Sequence, residues 1–324
     1  SKDISARVQA QNQLRLFKRA VDATSNGVII ADILQADMPI IYVNGAFEKL
    51  TGYSANEAIG RNCRFLQGKE RDLLAAKQIR DAIAKRQELS VVLRNYRKDN
   101  SAFWNNLFLA PVPDERGDIS HYIGIQTDIS AQKQYEQELA YNAAHDLLTG
   151  LPNRALLKDR LTQSYQICQR NQQKVAILFI DLDGFKLIND SLGHSNGDEV
   201  LKQSCQRISD CIRPGDTLAR IGGDEFVLML TDLSSSDEVL PAAERILAAV
   251  AQPLIIAGQE LHITASIGIS LSDQQLSEPM QLVQQADLAM YRAKQLGRNN
   301  YQWFSAELDN APGLHHHDAV GAQH

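Results

Sequence analysis

The chain is poor in cysteine, in long apolar runs and in net positive charge, and each shortage excludes something. Its four cysteines, Cys63, Cys168, Cys205 and Cys211, among 324 residues form no CxxC pair and no metal-ligand spacing. That speaks against a disulfide framework or a zinc site and for a reducing compartment, the cytoplasm. The longest apolar stretches are Val175 to Ile180 and Ile246 to Ala257, the second broken by Gln252 and Pro253. Both fall short of the roughly 20 residues that span a bilayer, and the first residues carry no charged-then-apolar signal pattern. Lys and Arg number 33 against 39 Asp and Glu, a formal net charge of -6, so neither nucleic-acid binding nor a polybasic membrane contact is expected. Anionic small ligands then need local basic groups or metal ions.

What is present is a globular composition, 44% apolar and 22% charged, in a chain long enough for two domains. Residues 1–23 place apolar positions at mostly helical spacing, an amphipathic helix. Strand-like runs follow at Gly27 to Ala31 and Pro39 to Val43, then short helical stretches and a helix over Glu70 to Arg86 with Leu73, Leu74, Ile79 and Ile83 on its apolar side. Three β-rich runs, Leu89 to Lys98, Ala102 to Val112 and Ile119 to Asp128, are separated by the turn clusters Asp99-Asn100 and Asp114 to Asp118. Residues 24–128 thus read as an antiparallel sheet with flanking helices. Residues 129–145 form a polar helical linker whose seam, Ile129, Gln132, Glu136, Leu139 and Ala143, suits a weak coiled coil of more than one register. Residues 146–306 read as a second α+β domain: helix Arg154 to Gln169, buried strand Val175 to Leu182, helix Asp198 to Ile212, hairpin Leu218 to Leu230, helix Asp237 to Ala251, strand His262 to Leu271 and helix Met280 to Gln295. Residues 307–324, with His315 to His317, read as a flexible tail.

Two constellations carry chemistry. In the first, Cys63 stands between Arg61 and Arg64 in the stretch Gly60-Arg61-Asn62-Cys63-Arg64-Phe65-Leu66-Gln67-Gly68. Neighbouring cations favour thiolate character, whereas the plainer reading is a buried structural thiol. A hairpin closed at Asp99-Asn100 puts Asn95 and Asn105 nearly opposite each other on one sheet face. With Gln126 on the next strand they array amide donors and acceptors that suit the edge of a heterocycle.

The nine-residue stretch, with Asn95-Tyr96, Phe103-Trp104-Asn105 and Ile123-Gly124-Ile125-Gln126, resembles the LOV (light-oxygen-voltage) blue-light receptors of the PAS family over about residues 24 to 128. The resemblance implies that Cys63 forms a light-induced covalent adduct with a flavin, and that Asn62, Gln67, Asn95 and Asn105 hold its ring and ribityl chain. Arg64 and Arg80 match the phosphate-binding positions, with a short segment between them that favours FMN over FAD. Gln126 matches the residue whose amide reorients to pass the signal into the sheet, the chromophore carrying the photochemistry.

In the second constellation the apolar run Ala176 to Ile180 ends in Asp181-Leu182-Asp183, and a hairpin turns through Gly222-Gly223-Asp224-Glu225. Glycines permit the tight turn. On neighbouring strands Asp181 and Asp224 would form a hard-oxygen site suited to Mg²⁺, although a surface turn with solvated acids is the commoner use of such residues. Together with Asp146 to Arg154, Asp183-Gly184-Phe185-Lys186, Asn189-Asp190, Gly193-His194, Gly197-Asp198 and Tyr291-Arg292-Ala293-Lys294, the hairpin resembles the GGDEF diguanylate cyclases, whose domain is cyclase- or palm-like. No P-loop pattern competes for the nucleotide.

That resemblance implies that Asp181, the Leu182 carbonyl and Asp224 bind two Mg²⁺ ions, with Glu225 close to the attacking hydroxyl or the metal. It places Lys186, Asn189, His194, Asp198, Lys294 and Arg298 around GTP, Asn189 and Asp198 reading guanine. Arg213-Pro214-Gly215-Asp216, by its spacing from Gly222, resembles a product-inhibition site in which Arg213 and Asp216 hold cyclic di-GMP. The plainer reading there is an ordinary polar turn. The expectation is a homodimer that condenses two GTP into cyclic di-GMP and two pyrophosphates under blue-light control.

Overall fold

The computed structural model describes residues 2–68, 72–272 and 278–305. The chain divides into two units, residues 1–138 and 139–324. The start of the expected helix at Glu70 and the expected tail over 307–324 lie outside the described residues. Among the described residues no helix is long and apolar enough to cross a membrane.

The first unit opens with α1 (Lys2–Asp22), then β1 (Gly27–Asp32), β2 (Ile40–Val43), α2 (Gly45–Thr51), α3 (Ala55–Ala58) and a 3-10 turn over Cys63–Gln67. After α4 (Leu73–Ala84) come β3 (Leu89–Tyr96), β4 (Ala102–Pro113) and β5 (Ile119–Asp128). The five strands form one sheet in the order β2-β1-β5-β4-β3, all pairings antiparallel. Strict alternation of burial along β3, β4 and β5 is the period-2 signature of a sheet covered on one face. Asn44 does two jobs: its Oδ1 accepts from Phe47 N and caps α2, while its Nδ2 donates to Val21 O at the end of α1.

The expected apolar side of α4 holds for Ile79 and Ile83, which pack toward the sheet, but fails for Leu73 and Leu74, 77% and 69% exposed, while the buried residues are Ala75, Ala76 and Ala82. Small side chains let this helix approach the sheet, and the two leucines open its first turn on the outer side. Next comes α5 (Ser130–Ala144), which has no buried residue. Two members of the expected seam, Gln132 and Glu136, are hydrogen-bonded to each other at 2.9 Å.

The second unit runs α6 (Arg154–Asn171), β6 (Lys174–Asp183), α7 (Phe185–Leu192), α8 (His194–Ser209), β7 (Thr217–Gly222), β8 (Glu225–Leu233) and α9 (Leu240–Val250). A small hairpin, β9 (Leu254–Ile256) and β10 (Gln259–Leu261), precedes β11 (Thr264–Leu271), α10 (Gln281–Gln295) and β12 (Tyr301–Trp303). The main sheet has the order β12-β11-β6-β8-β7. Its central strand, β6, is buried along nearly its whole length because both faces are covered. Val175, Ile177 and Phe179 pack with Leu157, Leu161 and Leu282 from α6 and α10, while Ala176, Leu178 and Ile180 pack with Val200, Leu201 and Ile246 from α8 and α9. A continuous apolar run is what such a strand requires. The α10 helix lies so close to β11 that a Cβ on Gly268 would come within 1.9 Å of Ala286 O and 2.1 Å of Met290 N.

Three short elements depart from expectation. The α7 helix falls in a stretch given no element from sequence, α8 begins at His194 rather than Asp198, and Asp237 falls in a 3-10 turn ahead of α9.

Candidate functional site

A cavity of about 310 Å³ lies between the inner face of the first sheet and α4, lined by Ile29, Leu93, Leu107, Leu109, Ile79 and Ile83 among other apolar side chains. Seven of the eight residues expected to hold a flavin line it: Asn62, Cys63, Arg64, Gln67, Arg80, Asn95 and Asn105. The eighth, Gln126, is fully buried and its Nε2 donates to Cys63 Sγ at 3.4 Å.

The β3-β4 register pairs Asn95 with Phe103 and Asn105 with Leu93, so the two asparagines are diagonal neighbours rather than opposite ones. They share a face nonetheless, and Asn105 Nδ2 donates to Asn95 Oδ1 at 2.8 Å. The amide oxygens of Gln67, Asn105 and Gln126 are buried with no hydrogen-bond partner. An unsatisfied buried acceptor costs about 1–3 kcal/mol, so a cavity with two of them on its wall, Gln67 and Asn105, fits a ligand that brings donors, such as a flavin with its ring N3–H and ribityl hydroxyls.

Of the two readings of Cys63, the thiolate favoured by neighbouring cations and the buried thiol, the geometry supports the second. Arg61 stacks over the Phe65 ring at 4.0 Å, and Arg64 turns to Asp37, 2.8 Å away. Burial then dominates and pushes the Cys63 thiol up to about 12, the Gln126 hydrogen bond only partly opposing it, so the group is a protonated thiol at neutral pH. Asn62 is partly committed to its own loop: Oδ1 caps Arg64 N and Nδ2 donates to Asp37 O.

The second site forms at the rim of the second sheet. Asp181 pairs with Glu225 across β8 and with Ser266 across β11, and Leu182 N donates to Asp224 O at 3.3 Å. Lys294 Nζ, from the last turn of α10, sits 2.7 Å from Asp181 Oδ2. Burial pushes Asp181 up to about 6 against the Lys294 hydrogen bond, with Asp224 and Asp183 adding to the rise. Glu225 is raised too, by burial first and then by the charges of Asp181, Asp287 and Asp224.

Asp181, Leu182, Asp224, Glu225 and Lys294 are therefore brought together. Two carboxylates and a carbonyl at a strand end are hard-oxygen donors that suit Mg²⁺ when ligand oxygens complete the shell. Among the described residues no group of three or more His, Cys, Asp or Glu could hold a metal.

Lys186, His194 and Asp198 are exposed on α7 and α8. Asn189 is half-buried, with its Oδ1 in contact with no partner, and it occupies space that a Cβ on Gly197 would invade, 1.8 Å from that oxygen. Arg298 is 63% exposed, its Nε 4.0 Å from Asp183 Oδ1. Arg213 and Asp216 form a self-bonded turn in which Arg213 N donates to Asp216 Oδ2 at 3.0 Å, and the Arg213 guanidinium lies 3.9 Å from Glu238.

Sequence reasoning missed two features. Asp183 accepts from Thr264 Oγ1 and Ser266 Oγ, both at 2.7 Å, and from Asn299 N, which makes it an anchor for the sheet rim. The signal was available: Asp183 lies two residues beyond Asp181, hence on the same face. Arg220 donates to both oxygens of Asp146 at 3.0 Å and to Gly223 O, tying the Gly222-Gly223 turn to the segment after α5. Burial works against the charge on Asp146, but hydrogen bonds from Thr149 and Arg220 outweigh it and hold the carboxyl below its ordinary range. Nothing local in the sequence announces that contact, 74 residues apart.

Comparison with known proteins decides the family. Residues 143–300 match "Diguanylate cyclase, GGDEF domain", and residues 25–131 match "PAS domain". The chain belongs to the GGDEF family, with a PAS domain ahead of the GGDEF domain. The bifunctional diguanylate cyclase/cyclic di-GMP phosphodiesterase MucR of Pseudomonas aeruginosa is 44% identical over 173 residues, 53% of this chain and 25% of MucR. A structure comprising only the GGDEF domain of TpbB, from the same species, is 38% identical with a TM-score of 0.50, covering 51% of this chain and 96% of that one. The LOV domain of a blue-light activated histidine kinase from Erythrobacter litoralis is 44% identical with a TM-score of 0.31, covering 32% of this chain and 96% of that one. The chain spans 25% of MucR and 38% of full-length TpbB. The cavity therefore lies in the PAS unit, and the Asp181 rim in the GGDEF unit.

Proposed function

We propose that this chain is a blue-light-regulated diguanylate cyclase of the cytoplasm, with a flavin-binding LOV sensor over 24–128, a signalling helix over 129–145 and a cyclase over 146–306. The observation that carries the reading is the pairing of Asp181 with Glu225 beside Asp224 and Lys294 at the rim of a GGDEF domain. Asp181, the Leu182 carbonyl and Asp224 would hold two Mg²⁺, which supply charge neutralisation at the α-phosphate and a more acidic 3′-hydroxyl. Lys186, Lys294 and Arg298 face the triphosphate, His194 lies beside it, and Asn189 and Asp198 hold guanine. The 3′-oxygen of each GTP attacks the α-phosphorus of the other, the bond to the β-phosphate oxygen breaks, and pyrophosphate leaves. Glu225, whose raised pKa suits a proton acceptor, takes the hydroxyl proton.

One domain holds one GTP, so two copies must meet face to face, and a coiled coil of two α5 helices is the natural joint. FMN in the PAS cavity supplies light absorption and an electrophilic ring. Cys63 presents a protonated thiol to it, Asn62, Gln67, Asn95 and Asn105 hold the ring and ribityl chain, and Arg64 and Arg80 hold the phosphate. Gln126, in contact with Cys63, passes the change into β5, which continues into α5. Arg213 and Asp216 hold cyclic di-GMP as an inhibitor.

The test is cyclic di-GMP formation from GTP and Mg²⁺ by the purified protein, in darkness and in blue light, with its absorption spectrum recorded in parallel. Product that rises with illumination while flavin absorption bleaches supports the reading. Bleaching with no product in either state refutes the cyclase, and product without any flavin spectrum refutes the photosensor.

A further inference from the structure

Lys294 and Asp181 form a sheltered ion pair at the GGDEF rim, the Asp181 side chain 8% and the Lys294 side chain 31% exposed. Around them the charge is one-sided: Asp183, Asp224 and Glu225 crowd the same strand ends. The Lys294 ammonium lies at hydrogen-bond distance from an oxygen that a divalent cation would need. Two cations cannot share one carboxylate oxygen at that range without strong repulsion in a partly buried site. If Lys294 withdrew with no new anion to meet, a half-sheltered ammonium would lose its partner and Asp181 its counter-charge. A triphosphate is an anion that can receive it. The proposed protein donors, two carboxylates and a carbonyl, with no metal-holding group of three or more His, Cys, Asp or Glu among the described residues, also leave most of a Mg²⁺ shell to ligand oxygens and water.

Resting on the metal-and-nucleotide reading of this rim, we infer that Lys294 is a partner-exchanging counter-ion: it neutralises Asp181 until a metal–triphosphate pair enters, then moves to the phosphates, so that metal and nucleotide bind as one unit. Lys294 is on this account a coupling residue as well as a phosphate contact. Arg298 supplies the contrast. It lies near the same edge, 4.0 Å from Asp183, but Asp183 is already satisfied by Thr264, Ser266 and Asn299, so Arg298 has no such exchange to perform.

The experiment measures Mn²⁺ binding to the full chain by the electron paramagnetic resonance of the free ion. It is run with and without a GTP analogue carrying a methylene group between its α- and β-phosphorus atoms. Wild-type protein is expected to bind Mn²⁺ about tenfold or more tightly with the analogue than without, and the analogue is expected to gain the same factor from Mn²⁺, since coupling is reciprocal. Lys294→Met, which keeps the apolar stem, is expected to raise nucleotide-free Mn²⁺ affinity about tenfold and to shrink the coupling. Arg298→Met, which removes the same charge nearby, is expected to leave the nucleotide-free Mn²⁺ affinity close to wild type.

Unchanged nucleotide-free affinity in Lys294→Met overturns the proposal, as does an equal rise in Arg298→Met, which would reduce it to bulk charge. Should Lys294→Met fail to fold, the wild-type measurement still decides, because equal Mn²⁺ affinity with and without the analogue also overturns it. The metal site itself is tested separately: if Asp181→Asn binds Mn²⁺ with the analogue as tightly as wild type, the reading of the rim fails rather than the role of Lys294.

Discussion

The PAS cavity and the GGDEF rim both stand on five-stranded sheets, but they handle polarity in opposite ways. The cavity of about 310 Å³ has neutral amides on a largely apolar wall, two of them, Gln67 and Asn105, with unpartnered buried oxygens. The rim carries carboxylates at the end of a fully packed strand and balances part of their charge with Lys294. Unpartnered acceptors in a closed volume favour one ligand held continuously, since each is costly when unmet. A rim whose charges are compensated internally suits a ligand that comes and goes. On the proposed reading, the difference teaches how one chain could keep a resident cofactor and an exchangeable substrate, by placing uncharged groups at the first site and paired charges at the second.

The widest separation between the two sites should come from Asp181→Asn. Cyclic di-GMP synthesis is expected to fall on the order of a hundred- to a thousandfold, the scale seen when an electrostatic contact to the transition state is removed, while the flavin spectrum stays as in wild type. Loss of flavin in that variant would show that the two sites are not independent. Next in size, Cys63→Ala should retain the flavin, lose its reversible bleaching and bring the light-to-dark activity ratio to unity, measured by product formation.

A smaller effect is expected from Gly197→Ala, which drives a Cβ onto Asn189 Oδ1. Overpacking of this kind costs about 1–3 kcal/mol, read as a rise of about tenfold or more in KM for GTP with kcat little changed. The smallest is a pH effect on stability. Asp181 has its folded value raised to about 6, so the fold disfavours its ionised form. The penalty is absent below the unfolded value, grows as pH rises toward 6 and is complete above it. Asp181→Asn should therefore raise the melting temperature at pH 8 and leave it unchanged at pH 4, by calorimetry. A gain at both would assign the effect to packing.

Much of the fold was legible because its two periods are clean. The burial alternation of β3, β4 and β5 and the unbroken apolar run of β6 give each strand within two residues of its observed ends. Elements too short for their period to repeat were not legible: β9, β10 and β12 have three residues each, less than two full alternations. The α7 helix, eight residues between Gly184 and Gly193 with no side-chain cap, carries few of the start and stop signals that mark a helix in sequence.

At the sites, residue types could be assigned to regions because chemistry and spacing agree, yet orientation could not. Arg61 and Arg64 flank Cys63 in the chain, and the 3-10 turn aims both away from the thiol, so burial rather than cationic neighbours sets its protonation. Leu73 and Leu74 fit an apolar helical face on paper, and the sheet chose alanines instead. The Arg220 to Asp146 contact depends on a chain reversal that no window of residues contains.

One feature of the joint between the sites reaches beyond either. The α5 helix, fifteen residues long, buries none of its side chains, and isolated helices shorter than about 12–15 residues are marginal in water even with favourable sequences. Its ends are tied by Trp104 N to Ser130 Oγ and by Asn153 Nδ2 to Ala143 O, so the exposed middle is the part whose order would gain from a neighbour lying alongside it. If that neighbour is a second copy, helicity in this segment is a function of protein concentration, and the strength of any response to light would depend on how many copies a cell makes as much as on how brightly it is lit.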